Sequence, residues 1–353
     1  MGKYILKRLG YMLVVFILLS FIMFLIYSLV PSNRAYTEAR EELQSMKNKI
    51  PADQQEEYFQ ERYLHYQRVH GTDTNNQVVR YLRWIGVMPN YYNEYKGLLQ
   101  GEFGYSYQYK DDVINVIQEP MKNTIFINIF ATVLALGITI PLGIWCAVHR
   151  KSKGDQAIQV FTIIGYSPPT FLTAILGVWI FCNVLPDLTG WKWFPPSGMQ
   201  TPGNEFTGLR AFVDKMYYLC LPLIVMTFTS LGSMTRYVRA SMIEALSLDC
   251  IKTARSKGLR EKVVIYSHAW RNALIPIVTL VIGWFLAIFS GSLVIENLFA
   301  LNGMGKLMIT SLQTQDMEVV MLVQMFYVIL SLVGNLIIDI VYGLVDPRVR
   351  VNK

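Results

Sequence analysis

The stretch D-C-I-K-T-A-R-S-K-G-L-R-E-K-V, from Asp249 to Val263, and H-A-W-R-N-A-L-I-P, from His268 to Pro276, form one basic, semi-polar segment between two long apolar runs. A helix needs about 20 apolar residues to cross a bilayer, so a charged segment bracketed by such runs sets the fold class. Working outward from it, six stretches reach that length: Leu9–Val30, Asn123–Val148, Ala157–Leu185, Tyr217–Tyr237, Ala273–Leu293 and Val319–Val345. The pattern predicts an all-α integral membrane protein with six transmembrane helices. The basic segment then hangs below the membrane as a surface that another molecule can meet.

Composition agrees with that class. The 353 residues are 53% apolar and only 16% charged, against roughly 25% charged in soluble domains. Mean hydropathy is a modest +0.32 because a long polar insert dilutes the spans. The first span follows Lys3, Lys7 and Arg8 and exceeds the 7 to 15 residues of a signal-peptide core, with no small-x-small site at Val30-Pro31-Ser32. It reads as a retained anchor.

Lys and Arg concentrate on the cytoplasmic side of membrane proteins. With six crossings the inner segments are the leader, His149–Asp155, Arg236–Asn272 and the tail from Asp346; they carry 17 Lys and Arg against 5 acids, and the remainder 15 against 20. Both termini are therefore expected inside. The net +7 charge is a topology signal and not a nucleic-acid-binding face.

The polar region from Pro31 to Lys122 lies outside in this topology and is too long for a plain connector. Ala35–Gln67 reads as one or two exposed helices broken at Ile50-Pro51; turns follow at Gly71-Thr72-Asp73 and Pro89-Asn90. G-E-F-G-Y-S-Y, Gly101–Tyr107, reads as a strand or extended segment. The chain thus divides into a leader with the first span (1–30), an extracytoplasmic insert (31–122) and a core of five spans (123–353).

Breakers fall inside the spans at Pro141, Ser167-Pro168-Pro169 and Pro222. A proline frees a backbone carbonyl that lipid cannot satisfy, so such sites face protein or a water-lined path, plain packing kinks being the alternative. Ser167, Pro168 and Pro169, with Thr229 and Ser233 in the fourth span and Glu296 with Asn297 at the outer mouth, are the candidate pathway residues. The run Val294–Lys306 followed by an amphipathic stretch to Asp316 reads as an outer hairpin. It is no phosphate loop, since Leu307 stands where Ser or Thr must follow the lysine. Asp339 lies close enough to Asp346 to reach the inner interface, a reading favoured over a pathway role. Cys146, Cys182, Cys220 and Cys250 are scattered singly, and the four histidines lack metal spacing, so neither disulfide nor metal site is expected.

In the basic segment Ser247 reads as an N-cap, Asp249 suits the first turn and Gly258 the left-handed stop, which makes a helix over about 248–258. Ile251, Ala254 and Gly258 form a small apolar stripe flanked by Lys252, Arg255 and Lys257. Two readings fit: a knob inserted in a groove of another protein, or a basic loop on anionic lipid.

At these residues the chain resembles the permease B subunit of peptide-type (oligopeptide and dipeptide) ATP-binding cassette importers. The likeness runs over nearly the whole length: K-Y-I-L-K-R-L at Lys3–Leu9, G-E-F-G-Y-S at Gly101–Ser106, N-T-I-F-I at Asn123–Ile127, P-L-G-I at Pro141–Ile144, S-P-P-T-F at Ser167–Phe171 and P-P-S-G at Pro195–Gly198. D-C-I-K-T-A-R-S-K-G-L with R-N-A-L-I-P follows, then N-L-I-I-D and D-P-R-V-R at Asp346–Arg350. Lys252, Thr253, Ala254 and Gly258 fall on the family's E-A-A-x-x-x-G signature, with Lys252 in place of the acid and Ile275-Pro276 farther from Gly258 than usual. The insert is longer than in the usual B subunit.

The resemblance implies a type I importer permease fold in a bacterial or archaeal cytoplasmic membrane. It implies a short coupling helix, here Asp249, Lys252, Thr253, Ala254, Arg255, Gly258 and Leu259, that meets an ATPase. Expected partners are a second homologous permease, two ATPase subunits holding ATP and magnesium, and an extracytoplasmic solute-binding protein. Oligosaccharides or metal chelates are alternative cargoes. A secondary transporter is a further alternative, but the chain shows neither its internal repeats nor its paired intramembrane charges. An embedded enzyme would need a nucleophile and base within the spans, and no such set is seen.

Overall fold

The computed structural model describes residues 2–30, 34–204 and 206–345. Pro31-Ser32 at the end of the first span and the tail with D-P-R-V-R from Asp346 lie outside the described residues. The chain divides into two compact units, 1–117 with 310–329 and 118–309 with 330–353.

The first unit opens with α1 (Gly2–Ser28), apolar on all sides as a lipid-facing helix must be. The polar insert then folds as α2 (Arg34–Met46) and α3 (Gln55–Val69), two helices separated at Pro51 as expected. They pack on Ala35 and Ala39, and on edge contacts of Tyr36 with Phe59 and Tyr63. Glu42 is the polar centre of the pair, accepting from Tyr58 Oη (2.9 Å), Arg62 Nε (2.6 Å) and Tyr66 Oη (2.8 Å). α4 (Gln77–Trp84) is capped by Asn76, whose side-chain oxygen accepts from the Val78 and Val79 N–H groups. It seats Tyr81 against Ser20, Phe21 and Phe24 of α1.

The glycine-aromatic tract forms β1 (Tyr105–Ser106), paired antiparallel with β2 (Asp111–Asp112). Gly104 precedes it at φ +88, and a Cβ there would collide with the Glu318 carboxylate. That carboxylate accepts from the Tyr105 N–H at 3.0 Å and pairs with Arg34 at 2.6 Å.

α5 (Val113–Val148) starts earlier than the expected Asn123 and links the units. In the second unit follow α6 (Lys153–Tyr166), α7 (Thr170–Trp179), a π-helical stretch Ile180–Val184 and α8 (Leu185–Thr189). The stretch Ala157–Leu185 is interrupted at Ser167-Pro168-Pro169, where the sequence placed its breakers. Pro168 and Pro169 lack N–H donors and stop α6, so the apolar rod starts afresh at Thr170.

The 40-residue α9 (Gly208–Ser247) is the central post, with α6, α7 and the later α12 packed on it. Gly232 permits this: a side chain there would strike Tyr166 and the Thr162 carbonyl of α6. Beyond it lie α10 (Asp249–Ser256), α11 (Glu261–Val263), a π stretch Val264–Ala269 and α12 (Trp270–Ala287). The expected span Ala273–Leu293 is corrected, because α12 ends at Ala287 and Leu293 opens α13 (Leu293–Leu298). α14 (Met304–Gln313) completes the expected hairpin, and α15 (Met317–Val345) is the last helix among the described residues.

Among the described residues, five helices are long and apolar enough to cross a membrane: Ile5–Ser28, Val113–Val148, Thr170–Thr189, Gly208–Ser247 and Met317–Val341. Glu261–Leu274 with Pro276–Ala287, bent by 63°, makes a sixth if taken as one span.

Candidate functional site: the α10 knob and the span breaks

Leu248, with extended backbone at φ −64 and ψ 146, separates α9 from α10. Ser247 is therefore not the cap expected from the sequence. It is the last residue of α9, and its hydroxyl donates back to the Glu244 carbonyl at 2.7 Å. The stop is as expected: Gly258 sits at φ +74, its N–H donating to the Arg255 carbonyl at 2.9 Å.

The stripe expected to enter a partner's groove turns inward instead. Ile251 is 0% exposed and Ala254 5%, both in a core with Met242 and Ala245 of α9, Val264 and Ile265, and Ala273 and Ile277 of α12. Gly258 is exposed and does not continue the stripe. An eight-residue helix is marginal in water, so this seating is what makes α10 a rigid knob.

Its outer face is cationic. Lys252 pairs with Asp249 (2.8 Å), and Arg255 forks onto Glu261 through Nη2 (2.6 Å) and Nε (3.3 Å). The hydrogen bond from Arg255, outweighing a small burial effect, holds the Glu261 carboxyl below the usual carboxylate range. Thr253 returns its hydroxyl to the Asp249 carbonyl (3.0 Å). Lys257, Arg260 and Lys262 stay exposed, and Leu248, Leu259, Val263 and Tyr266 add exposed apolar surface around them.

The pathway candidates are not gathered into one lining. Ser167 and Pro169 are exposed and Pro168 half-buried at the α6–α7 break. Thr229 returns its hydroxyl to the Val225 and Met226 carbonyls, and exposed Ser233 to Ser230, so both satisfy themselves on α9. Glu296 and Asn297 point apart. Asn297 is exposed, whereas Glu296 is 3% exposed and spends both oxygens inside the chain. Oε1 accepts from Thr124 Oγ1 (2.8 Å), and Oε2 from the N–H groups of Gly305 (2.6 Å) and Lys306 (3.2 Å). Burial raises its carboxyl above the ordinary range against these bonds. These bonds close the α13–α14 hairpin on α5. The signal was present in the glycines: Cβ atoms at Gly303 or Gly305 would intrude on this carboxylate.

Residues 139–351, which include α10 and its supports, match the family described as binding-protein-dependent transport system inner membrane component. The chain belongs to this family, as a membrane permease component of such transport systems. It is 34% identical to the oligopeptide transport system permease protein AppB of Bacillus subtilis, over 78% of this chain and 81% of that one. It is 31% identical to the oligopeptide transport system permease protein OppB of Haemophilus influenzae, over 74% and 79%. The peptidoglycan transport system permease protein YejB of Agrobacterium fabrum is 30% identical over 76% and 71%.

Proposed function

We propose that this chain is one of two homologous permease subunits of an ATP-binding cassette importer that carries oligopeptides or dipeptides through a bacterial or archaeal cytoplasmic membrane. It crosses the bilayer six times with both termini inside and residues 31–122 outside, where a solute-binding protein delivers cargo. ATP and magnesium belong to two partner ATPase subunits. The peptide assignment draws its support from the relatives, AppB and OppB, which are oligopeptide transport system permease proteins.

The observation that carries the reading is the division of labour on α10: Ile251 and Ala254 are sunk in the core while Lys252, Arg255 and Lys257 face outward. A load applied to that outer face by an ATPase is passed directly to α9 and α12, which share the core. Asp249, Thr253 and Leu259 complete the docking surface. The break at Ser167-Pro168-Pro169, Thr229, Ser233 and Asn297 are the pathway positions in this scheme.

The importer, isolated through a tag on this chain, tests it. Lys252→Glu with Lys257→Glu reverses the outer face without touching the buried one. The expected result is loss of the co-purifying ATPase subunits and of ATP-driven peptide uptake, with membrane insertion unchanged. Full retention of both would overturn the docking assignment.

A further inference from the structure

We propose that Asp155 and Arg239 are a positioning pair for energy coupling, locking α6 to α9 so that movement of α10 reaches the break at Ser167-Pro168-Pro169. This rests on the docking role of α10 given above.

Asp155 is 2% exposed, at the first turn of α6. Arg239 of α9 forks onto it, Nε to Oδ1 at 2.8 Å and Nη2 to Oδ2 at 2.7 Å. Oδ2 also accepts from the Lys151 N–H at 2.9 Å, and Lys151 stands at φ +67, a left-handed position unfavourable for a residue with a Cβ. Ser152 caps α6 by accepting from the Asp155 N–H at 3.1 Å. One carboxylate thus ties together the turn leaving α5, the start of α6 and the C-terminal part of α9.

The far end of α6 is pinned to the same helix. Tyr166 and Thr162 lie against Gly232, and the Arg236 guanidinium stands 5.2 Å from the centre of the Tyr166 ring. Fastened at both ends, α6 moves with α9 as one body. α9 leads through Leu248 into α10 at one end of this body, and α6 ends in the proline break at the other. Apolar contacts alone would hold two helices together as well as a buried ion pair does. A two-pronged fork adds fixed orientation, which transmission requires and stability does not.

The test is ATP hydrolysed per peptide imported, measured per assembled importer in proteoliposomes, for wild type, Asp155→Asn and Arg239→Lys. Asp155→Asn keeps the shape but not the charge, and Arg239→Lys keeps the charge but not the fork. The ratio is expected to rise about threefold or more in Asp155→Asn, with a smaller rise in Arg239→Lys. A merely structural role lowers the amount of importer without moving the ratio. A wild-type ratio in whichever variant assembles overturns the proposal, and so does failure of both to assemble, which assigns the pair to folding alone. If wild type itself shows no ATP-driven uptake, the importer reading fails and not the pair.

Discussion

Ser106 and Asp316, 210 positions apart, are joined by a buried hydrogen bond of 2.5 Å from the serine hydroxyl to Oδ2. The same oxygen accepts from the Gln108 N–H at 3.3 Å, so Asp316, 6% exposed, holds the turn after β1. Ser106→Ala leaves this carboxylate with the longer bond only, at a cost of about 1–3 kcal/mol. Faster limited proteolysis between Gly101 and Asp112 than in wild type is the expected outcome. Equal cleavage rates would show that the bond does not secure the turn.

The α2–α3 pair carries a pH-dependent contact at Glu42. Burial raises its carboxyl, but hydrogen bonds from Arg62, Tyr66 and Tyr58 together outweigh that and hold it below the usual range. A depressed acid stabilises the fold above the unfolded value of about 4.3, and that stability is lost as pH falls through the folded one. Hydrogen exchange across residues 34–69 should show wild type better protected than Glu42→Gln at pH 7, with the difference shrinking below about pH 4. A difference that persists unchanged at pH 3 rules out this titration.

The elements most legible in the sequence were those with local causes. Apolar length announced most of the spans, Pro51 separated α2 from α3, and Gly258 ended α10 at a positive φ. What one dimension hid was direction. The stripe Ile251 and Ala254 has the periodicity of a contact face, but periodicity is the same for a face turned toward a partner and one turned into the chain's own core. Glu296 read as a polar group at a mouth because its three donors come from Thr124 and from residues 305 and 306, brought together only by the fold. For Asp155 a local trace existed, Ser152 three residues before it, while Arg239, 84 positions away, left none.

The Glu296 clamp predicts opposite outcomes for two similar substitutions. Gly303→Ala pushes a methyl into a carboxylate that its donors hold in place, and overpacking of this kind costs about 1–3 kcal/mol. Gly137→Ala, within α5 and with nothing within 4 Å of the added carbon, gains about 0.5–1 kcal/mol of helix preference. Thermal unfolding in detergent should place the first below wild type and the second at or above it. The reverse order contradicts the clamp.

At α10 the buried and turning residues separate two ways of losing transport. Ala254→Asp puts an unpaired charge among Met242, Ala245 and Val264, which costs several kcal/mol and unseats the knob. Uptake and ATPase co-purification should both be lost while the protein still inserts. Gly258 differs, because an added Cβ there meets nothing within 4 Å and only the φ of +74 opposes it. Gly258→Asn, which tolerates that backbone, should stay near wild type, and Gly258→Val should lower uptake through about 1–2 kcal/mol of strain in the turn that leads to Leu259. If the two Gly258 variants behave alike, the turn geometry does not govern docking, and the face carrying Lys252 and Arg255 must act independently of how the chain leaves it.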